Sequence, residues 1–336
     1  MNNNKRVRTL SGLFFLLFFF FASNAHAFSF KSLFTFKKDR SIKLHVLNHA
    51  NGQKQPAHVK VGVYMLHVGR YDLQSASIRM DFYLIFRCKP VCDKLNFEIM
   101  NATSSTVKLA VKQKDYLVYR VQAELNKCNN LRNYPFDHHD LDVIIENRQQ
   151  TSDQMIFEVD PGITALDNDL DVVGFKLLPN WTAKVTNHYY KVFQQTFSSY
   201  KFSMYIERPW LAGILKGILP ALIIIGCSFL ALFMRIDHVS QRLGIATSTL
   251  IASEVFHLNL TSSIPPLGYV TFADMFMFIN YICLLLILIE VILTMYFVES
   301  EHKAKAERLN WNCAWIIPLL WFIMQTINWF MFVNLG

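Results

Sequence analysis

Leu243–Leu260 reads LGIATSTLIASEVFHLNL, eighteen residues that approach the length of a membrane span yet are interrupted throughout by small and hydroxyl side chains. At helical spacing Gly244, Ser248, Ile251, Val255, Leu258 and Ser262 recur at steps of four and three and fall on one face. A helix bathed in lipid has no use for such a stripe. Two environments accept it. Several copies around an axis would use the glycine and serines as a wet lining, with Ile251 and Val255 as an apolar girdle that closes by dewetting. A helix bundle would instead use the small residues for close packing.

The flanking sequence places this helix. The chain opens MNNNKRVRTLSGLFFLLFFFFASNAHA, with Lys5, Arg6 and Arg8, an apolar run from Leu13 to Ala22, and the small-x-small tripeptide Ala25-His26-Ala27. These features predict a cleavable secretory signal peptide over residues 1–27, so that residues 28–208 face the periplasm or the cell exterior. At Arg208-Pro209-Trp210 the composition turns apolar, and the tryptophan suits a membrane interface. Residues 209–336 are expected to form a transmembrane domain of four helices, at about 211–234, 240–262, 275–297 and 311–332. The first contains Pro220 and a single charge, Lys216. Arg235, Arg242, Lys303, Lys305 and Arg308 fall on one side, which the positive-inside rule makes cytoplasmic. The expectation is a multi-pass protein of the cell (inner) membrane.

Between Phe28 and Arg208 the pattern is that of strands. Ile78, Met80, Phe82, Leu84 and Phe86 alternate with Arg79, Asp81 and Tyr83, giving one face to bury and one to wet. Tyr119–Asn126, Leu141–Glu146 and Lys201–Glu207 alternate likewise, and runs near Val59, Thr106, Gln154 and Thr182 add further strands. So many short strands predict an all-β, immunoglobulin-like sandwich followed by an all-α membrane domain.

Charge and chemistry exclude other classes. The formal net charge is +8, with the excess spread along the outer segment, a pattern that does not suit nucleic acid. Cys88, Cys92 and Cys128 lie outside, where oxidation is possible. Cys88 and Cys92 are spaced to close a small ring at a strand turn. Zinc needs a fuller ligand set, so no metal and no cofactor is expected. An enzyme needs a nucleophile with a base, or a metal, at membrane depth, and the spans offer only Glu254, His257 and Glu290.

Leu131–Asp137, LRNYPFD, resembles the motif at the membrane end of the extracellular domain in pentameric ligand-gated ion channels, the Cys-loop receptor superfamily. Arg208 stands where that family has an arginine before the first span, Pro220 where it has a proline within it, and Arg242 at the inner end of the pore helix. Ser248–Ala252, STLIA, is close to the pore helix of bacterial proton-gated members. Pro265 and Tyr269 match the linker to the third span, and Ile289-Glu290-Val291 matches that span. Two departures point to the bacterial type: Leu141 occupies the position of the cysteine that would close the bracketing disulfide, and about a dozen residues replace the large cytoplasmic insert. A third, Cys88-Lys89 in place of a tryptophan-aspartate pair, speaks against the family's amine-binding aromatic cage.

The resemblance implies a homopentamer in membrane lipid, opened by a small-molecule agonist or by protons and conducting monovalent ions through a pore lined by the second helix. It implies that Asp137 and Arg208 brace the Pro135-Phe136-Asp137 loop against the first span, next to the linker carrying Pro265, Pro266 and Tyr269. It also puts the agonist pocket beneath a hairpin near His188–Phe202, making Tyr189, Tyr190, Phe193, Phe197 and Tyr200 ligand candidates, although strand aromatics equally serve sheet packing. Glu254 and His257, three apart on the stripe helix, are the proton-sensing candidates, or else a structural pair between helices. Ser240 and Gln241 occupy the inner mouth and Asp237 lies off the stripe. Cation selectivity follows only from the bacterial resemblance, and an anion-selective pore or a non-conducting membrane sensor are the alternatives.

Overall fold

The computed structural model describes residues 56–89, 95–127 and 130–335, all within one compact unit. The expected signal peptide lies outside the described residues, as do Cys92 and Cys128; Cys88 is disulfide-bonded.

Among the described residues ten strands build two sheets. The larger runs β4 (Ala102–Lys112), β5 (Tyr116–Asn126), β2 (Ser77–Cys88), β1 (Ala57–Val68), β7 (Met155–Val159), with β8 (Ala165–Leu166) also on β1. The smaller runs β3 (Phe97–Ile99), β6 (His138–Asn147), β10 (Gln195–Glu207), β9 (Lys176–Tyr190). Pairing is antiparallel except where β7 and β8 join β1 in parallel. The alternation in β2 faces inward as expected: Met80, Phe82, Leu84 and Phe86 are fully buried and Arg79 is exposed. Leu141, Val143 and Ile145 of β6 and Tyr200, Phe202, Met204 and Ile206 of β10 meet them from the other sheet in one core. Each large apolar side chain removed from water contributes about 1.5–3 kcal/mol.

Helices follow directly. They are α1 (Trp210–Phe233, with a π turn at Ile214–Ile218), α2 (Val239–Thr261), α3 (Phe272–Glu299) and α4 (Lys303–Leu335). By length and composition α1, α3 and α4 are apolar enough to cross a membrane, which makes this a multi-pass membrane protein. The second of the four spans expected from the sequence, α2, has 23 residues, but its polar side chains keep it out of that set. A capping box starts α3: Thr271 Oγ1 accepts the Asp274 N–H at 3.1 Å and Asp274 Oδ2 accepts the Thr271 N–H at 2.9 Å, three residues before the expected Met275. Helix α4 begins at Lys303, eight residues before the expected Trp311, because its first turns are polar and carry no hydropathy signal. Only Ser300–His302 link α3 to α4.

Candidate functional site

Two surfaces hold the residues singled out in the sequence: the junction between sandwich and helices, and the outward face of α2. At the junction Asp137 opens into β6 and Arg208 closes β10. The Arg208 Nε donates to Asp137 Oδ1 at 2.8 Å and Nη2 to Oδ2 at 3.2 Å, while the Arg208 N–H donates to the Asp137 carbonyl at 3.0 Å. Asp137 is 2% exposed. The guanidinium also lies over the rings of Phe175 and Tyr134, 4.9 and 5.2 Å from their centres. Burial by itself pushes the Asp137 carboxyl up, but the hydrogen bonds from His139 and Arg208 and the electrostatic attraction of both groups outweigh it and hold the carboxyl down at about 2.

The loop before Asp137 is seated on all the helical elements near it. Pro135 lies against Gly213 and Gly217 of α1, where a Cβ would come within 2.8 Å of the Pro135 carbonyl oxygen or 2.7 Å of its Cγ. The Phe136 ring meets Phe272 of α3 and Trp329 of α4, each at 5.7 Å. The Leu131 N–H donates to the Tyr269 hydroxyl at 2.9 Å, the Tyr134 hydroxyl pairs with Ser263 Oγ at 3.0 Å, and the Phe272 and Ala273 N–H groups donate to the Arg132 and Tyr134 carbonyls. From the β1–β2 loop, the Gln74 amide donates to the Ser262 carbonyl at the end of α2. Of the two linker prolines, Pro265 is half-buried and Pro266 exposed; it is Ile264 beside them that packs with Leu131 and Tyr134. Gly213, Gly217, Ile264 and His139 were not singled out in the sequence, since their role depends on contacts between distant segments.

Helix α2 has two unlike faces. Arg242, Ala246, Thr249, Ser253 and Leu260 are buried toward its neighbours. Gly244, Ser248, Ile251, Val255, Leu258 and Ser262 are all exposed on the single chain, the three large ones by 62, 61 and 65%. The small residues that pack inside the bundle are therefore Ala246, Thr249 and Ser253, on the side opposite the stripe. Glu254 and His257 do not pair with each other. Glu254 is exposed, whereas His257 lies within 3.1 Å of the Tyr281 hydroxyl and 3.2 Å of Asp274 Oδ1 on α3.

Arg242 stands at the end of α2 remote from the sandwich, where it is 1% exposed and bonded to Glu290 of α3, the Ala231 carbonyl of α1 and Asn310 of α4. Its partner lies 48 residues away, beyond the reach of any local pattern. Asp237 sits between Arg235 at 3.3 Å and Lys303 at 3.5 Å.

The β9–β10 hairpin separates the five ligand candidates. Tyr189 and Phe193 are exposed, by 54 and 63%, and Phe197 is buried with its ring 5.8 Å from that of Tyr190. Tyr190 donates its hydroxyl to Glu146 Oε2 at 2.8 Å, and burial together with that carboxylate pushes the phenol up to about 12. His188 Nδ1 stands 3.2 Å from Glu146 Oε1, and its ring is 4.2 Å from that of Tyr190. Tyr200 has to be set apart. Strand alternation puts it in phase with Phe202 and Met204, so it is wholly buried in the sandwich core rather than under the hairpin. Glu146, which joins Tyr190 and His188, was legible only as a polar residue in a strand.

No protein-family profile matches this chain. Over 213 residues it is 23% identical to a proton-gated ion channel of Gloeobacter violaceus, an alignment covering 63% of this chain. The matched stretch spans 58% of that relative's length.

Proposed function

We propose that the protein is a proton- or ligand-gated ion channel, a homopentamer whose pore is lined by α2 and whose extracellular or periplasmic sandwich, residues 28–208, receives the stimulus. The observation that carries this reading is the exposed stripe of α2. Five copies of Gly244, Ser248, Ile251, Val255, Leu258 and Ser262 around an axis turn a face unsuited to lipid into a water-lined path with an apolar constriction at Ile251 and Val255. The partial likeness to a proton-gated channel supports the same reading, and protons are the stimulus to test first.

Gating then runs from sheet to helix. The Asp137–Arg208 brace fixes the loop to the entry of α1, and Pro135, Phe136 and Tyr269 fix it to α1, α3 and the α2–α3 linker, so a shift of the sandwich is delivered to the outer end of α2. Monovalent cations are the permeant ions favoured by charge. Of the ionic side chains in α2, Arg242 is buried, which leaves Glu254 as the exposed formal charge, and Asp237 at the inner mouth is engaged by Arg235 and Lys303.

The deciding measurement is current through liposome-reconstituted protein as the outer pH is stepped from neutral to acid in asymmetric salt. Reversible acid-evoked current with a cation reversal potential is the expected result. Silence from confirmed pentamers, to acid and to small ligands alike, would leave a non-conducting sensor.

A further inference from the structure

Asp137 receives a third donor besides the two of Arg208. His139, two residues further along β6, turns its ring back so that Nε2 lies 2.6 Å from Asp137 Oδ2, the oxygen that Arg208 Nη2 also reaches at 3.2 Å. Its side chain is 3% exposed. Tyr71, from the β1–β2 loop, and Phe175, at the start of β9, stand edge-on to the imidazole with ring centres 5.4 and 5.8 Å away. The same Phe175 ring carries the Arg208 guanidinium. One carboxylate, one guanidinium and one imidazole therefore share a dry aromatic box at the membrane end of the sandwich.

The state of this box follows from hydrogen-bond chemistry. An ionised carboxylate only accepts, so His139 donates through Nε2 and a neutral ring is held as the Nε2–H tautomer. Asp137 stays ionised through mild acid because its carboxyl is held at about 2. Of the charged groups on the neighbouring strands, Lys176 and Glu207, next in sequence to Phe175 and Arg208, pair with each other at 2.8 Å on the wet side, and Lys201 pairs with Asp142 further along the strands. Histidine is the side chain whose charge ordinarily changes between pH 5 and 8.

We propose that His139 is a positioning residue of the Asp137–Arg208 brace and its proton switch. As a neutral ring it shares the carboxylate with Arg208. As an imidazolium it sets a second full positive charge on Oδ2 beside the guanidinium, so that the two cations compete for one anion and repel each other, and the hold of Arg208 slackens. The switch sits on the element that joins sandwich to helices, so slackening reaches α1 and the α2–α3 linker directly. This rests on the acid-gated channel reading for its consequence, but not for its chemistry.

The test uses full-length protein with His139→Gln, which keeps an N–H toward Asp137 without titrating, and His139→Phe, which keeps the ring contacts to Tyr71 and Phe175 but removes the bond. Two readouts are taken: acid-evoked current in liposomes, and hydrogen exchange of residues 131–139 and 204–210 in detergent at pH 7.5 and 5, corrected for the intrinsic pH dependence of exchange. In wild type, exchange in these segments is expected to rise about threefold or more on acidification. In H139Q it should stay protected at both pH values, with the midpoint of the current moved by about one unit or more toward acid. H139F should exchange fast at both. Wild type and H139Q with the same pH dependence of exchange would overturn the switch, whatever the current does. Loss of that dependence in H139Q, in a protein that carries no current, would uphold the switch and sink the channel reading instead.

Discussion

Arg242 on α2 and Glu290 on α3 form an ion pair with both charges out of water, Nη2 lying 2.8 Å from Oε2 and 3.1 Å from Oε1. The same guanidinium donates to the Ala231 carbonyl at 3.0 Å and to Asn310 Oδ1 at 2.5 Å, and Glu290 accepts from the Thr294 hydroxyl at 2.8 Å. One side chain thus joins four helices at the end of the bundle remote from the sandwich, while the near end of α2 is tied to the sandwich through the junction loop. Removing one partner leaves the other charged in a dry place, which costs about 3–5 kcal/mol. Arg242→Met or Glu290→Leu alone should lower the apparent melting temperature in detergent sharply. The double variant should recover most of the loss, because the pair's attraction largely offsets its own desolvation. A double variant no better than the worse single one would show that the carbonyl and Asn310 contacts, not the pair, hold the bundle.

Gly213 and Gly217 let α1 approach the loop. At Gly213 a Cβ would stand 2.8 Å from the Pro135 carbonyl oxygen and about as tightly against the Phe136 ring, so either the backbone or the helix has to move. Overpacking of this kind costs about 1–3 kcal/mol. Gly213→Ala should destabilise the protein and weaken coupling. Gly226→Ala, where nothing lies within 4 Å, should leave melting and current unchanged. Equal melting temperatures for the two variants would contradict the close seating of the loop.

Asp137 gives a pH dependence of definite sign. Its carboxyl is held at about 2 against an ordinary 3.8, so its contribution to stability is present in full above 3.8 and is lost as pH falls toward 2. The shift corresponds to something on the order of 2 kcal/mol. In a His139→Gln background, which removes the proposed switch, Asp137→Asn should therefore be destabilised by a near-constant amount between pH 7 and 5, with the gap to H139Q closing only below about 4. A gap that closes between pH 6 and 5 in that background would mean that Asp137 itself responds to mild acid, and the switch would belong to Asp137 instead of His139.

Much of this was legible in the sequence, and the rest was hidden for physical reasons. Period-two alternation exposed β2, β6 and β10 because each turns one apolar face into the sandwich core, and the change of composition at Arg208 and Trp210 marked the junction. Tyr200 takes the second of the two roles open to strand aromatics, sheet packing, because strand phase sets it on the same face as Phe202 and Met204. The first turns of α4 were missed because a charged helix emerging from a membrane leaves no apolar run to count. Arg242–Glu290 and His139–Asp137 differ in kind. The first joins residues far apart in sequence, while the second is local but depends on a ring turning back along its own strand, and neither geometry is written in residue type alone.

The girdle reading of Ile251 and Val255 makes the sharpest prediction. Both side chains are more than half exposed on the single chain, and they lie one turn apart on the stripe, so an axis of five would stack ten apolar side chains in two adjacent rings. Water leaves a constriction of that kind because the wall offers it no hydrogen bonds, and ions cannot follow without their hydration shells. Ile251→Thr keeps the branched shape and supplies a hydroxyl, so it should wet the constriction and shift the acid midpoint toward neutral pH, with measurable leak at pH 7.5. Thr249→Val, on the buried face of the same helix, changes polarity the opposite way and should leave the midpoint near that of wild type. The comparison is read from current in liposomes at matched protein density. If Ile251→Thr gates like wild type while Thr249→Val leaks, the faces of α2 have been assigned the wrong way round and the stripe is a packing surface after all.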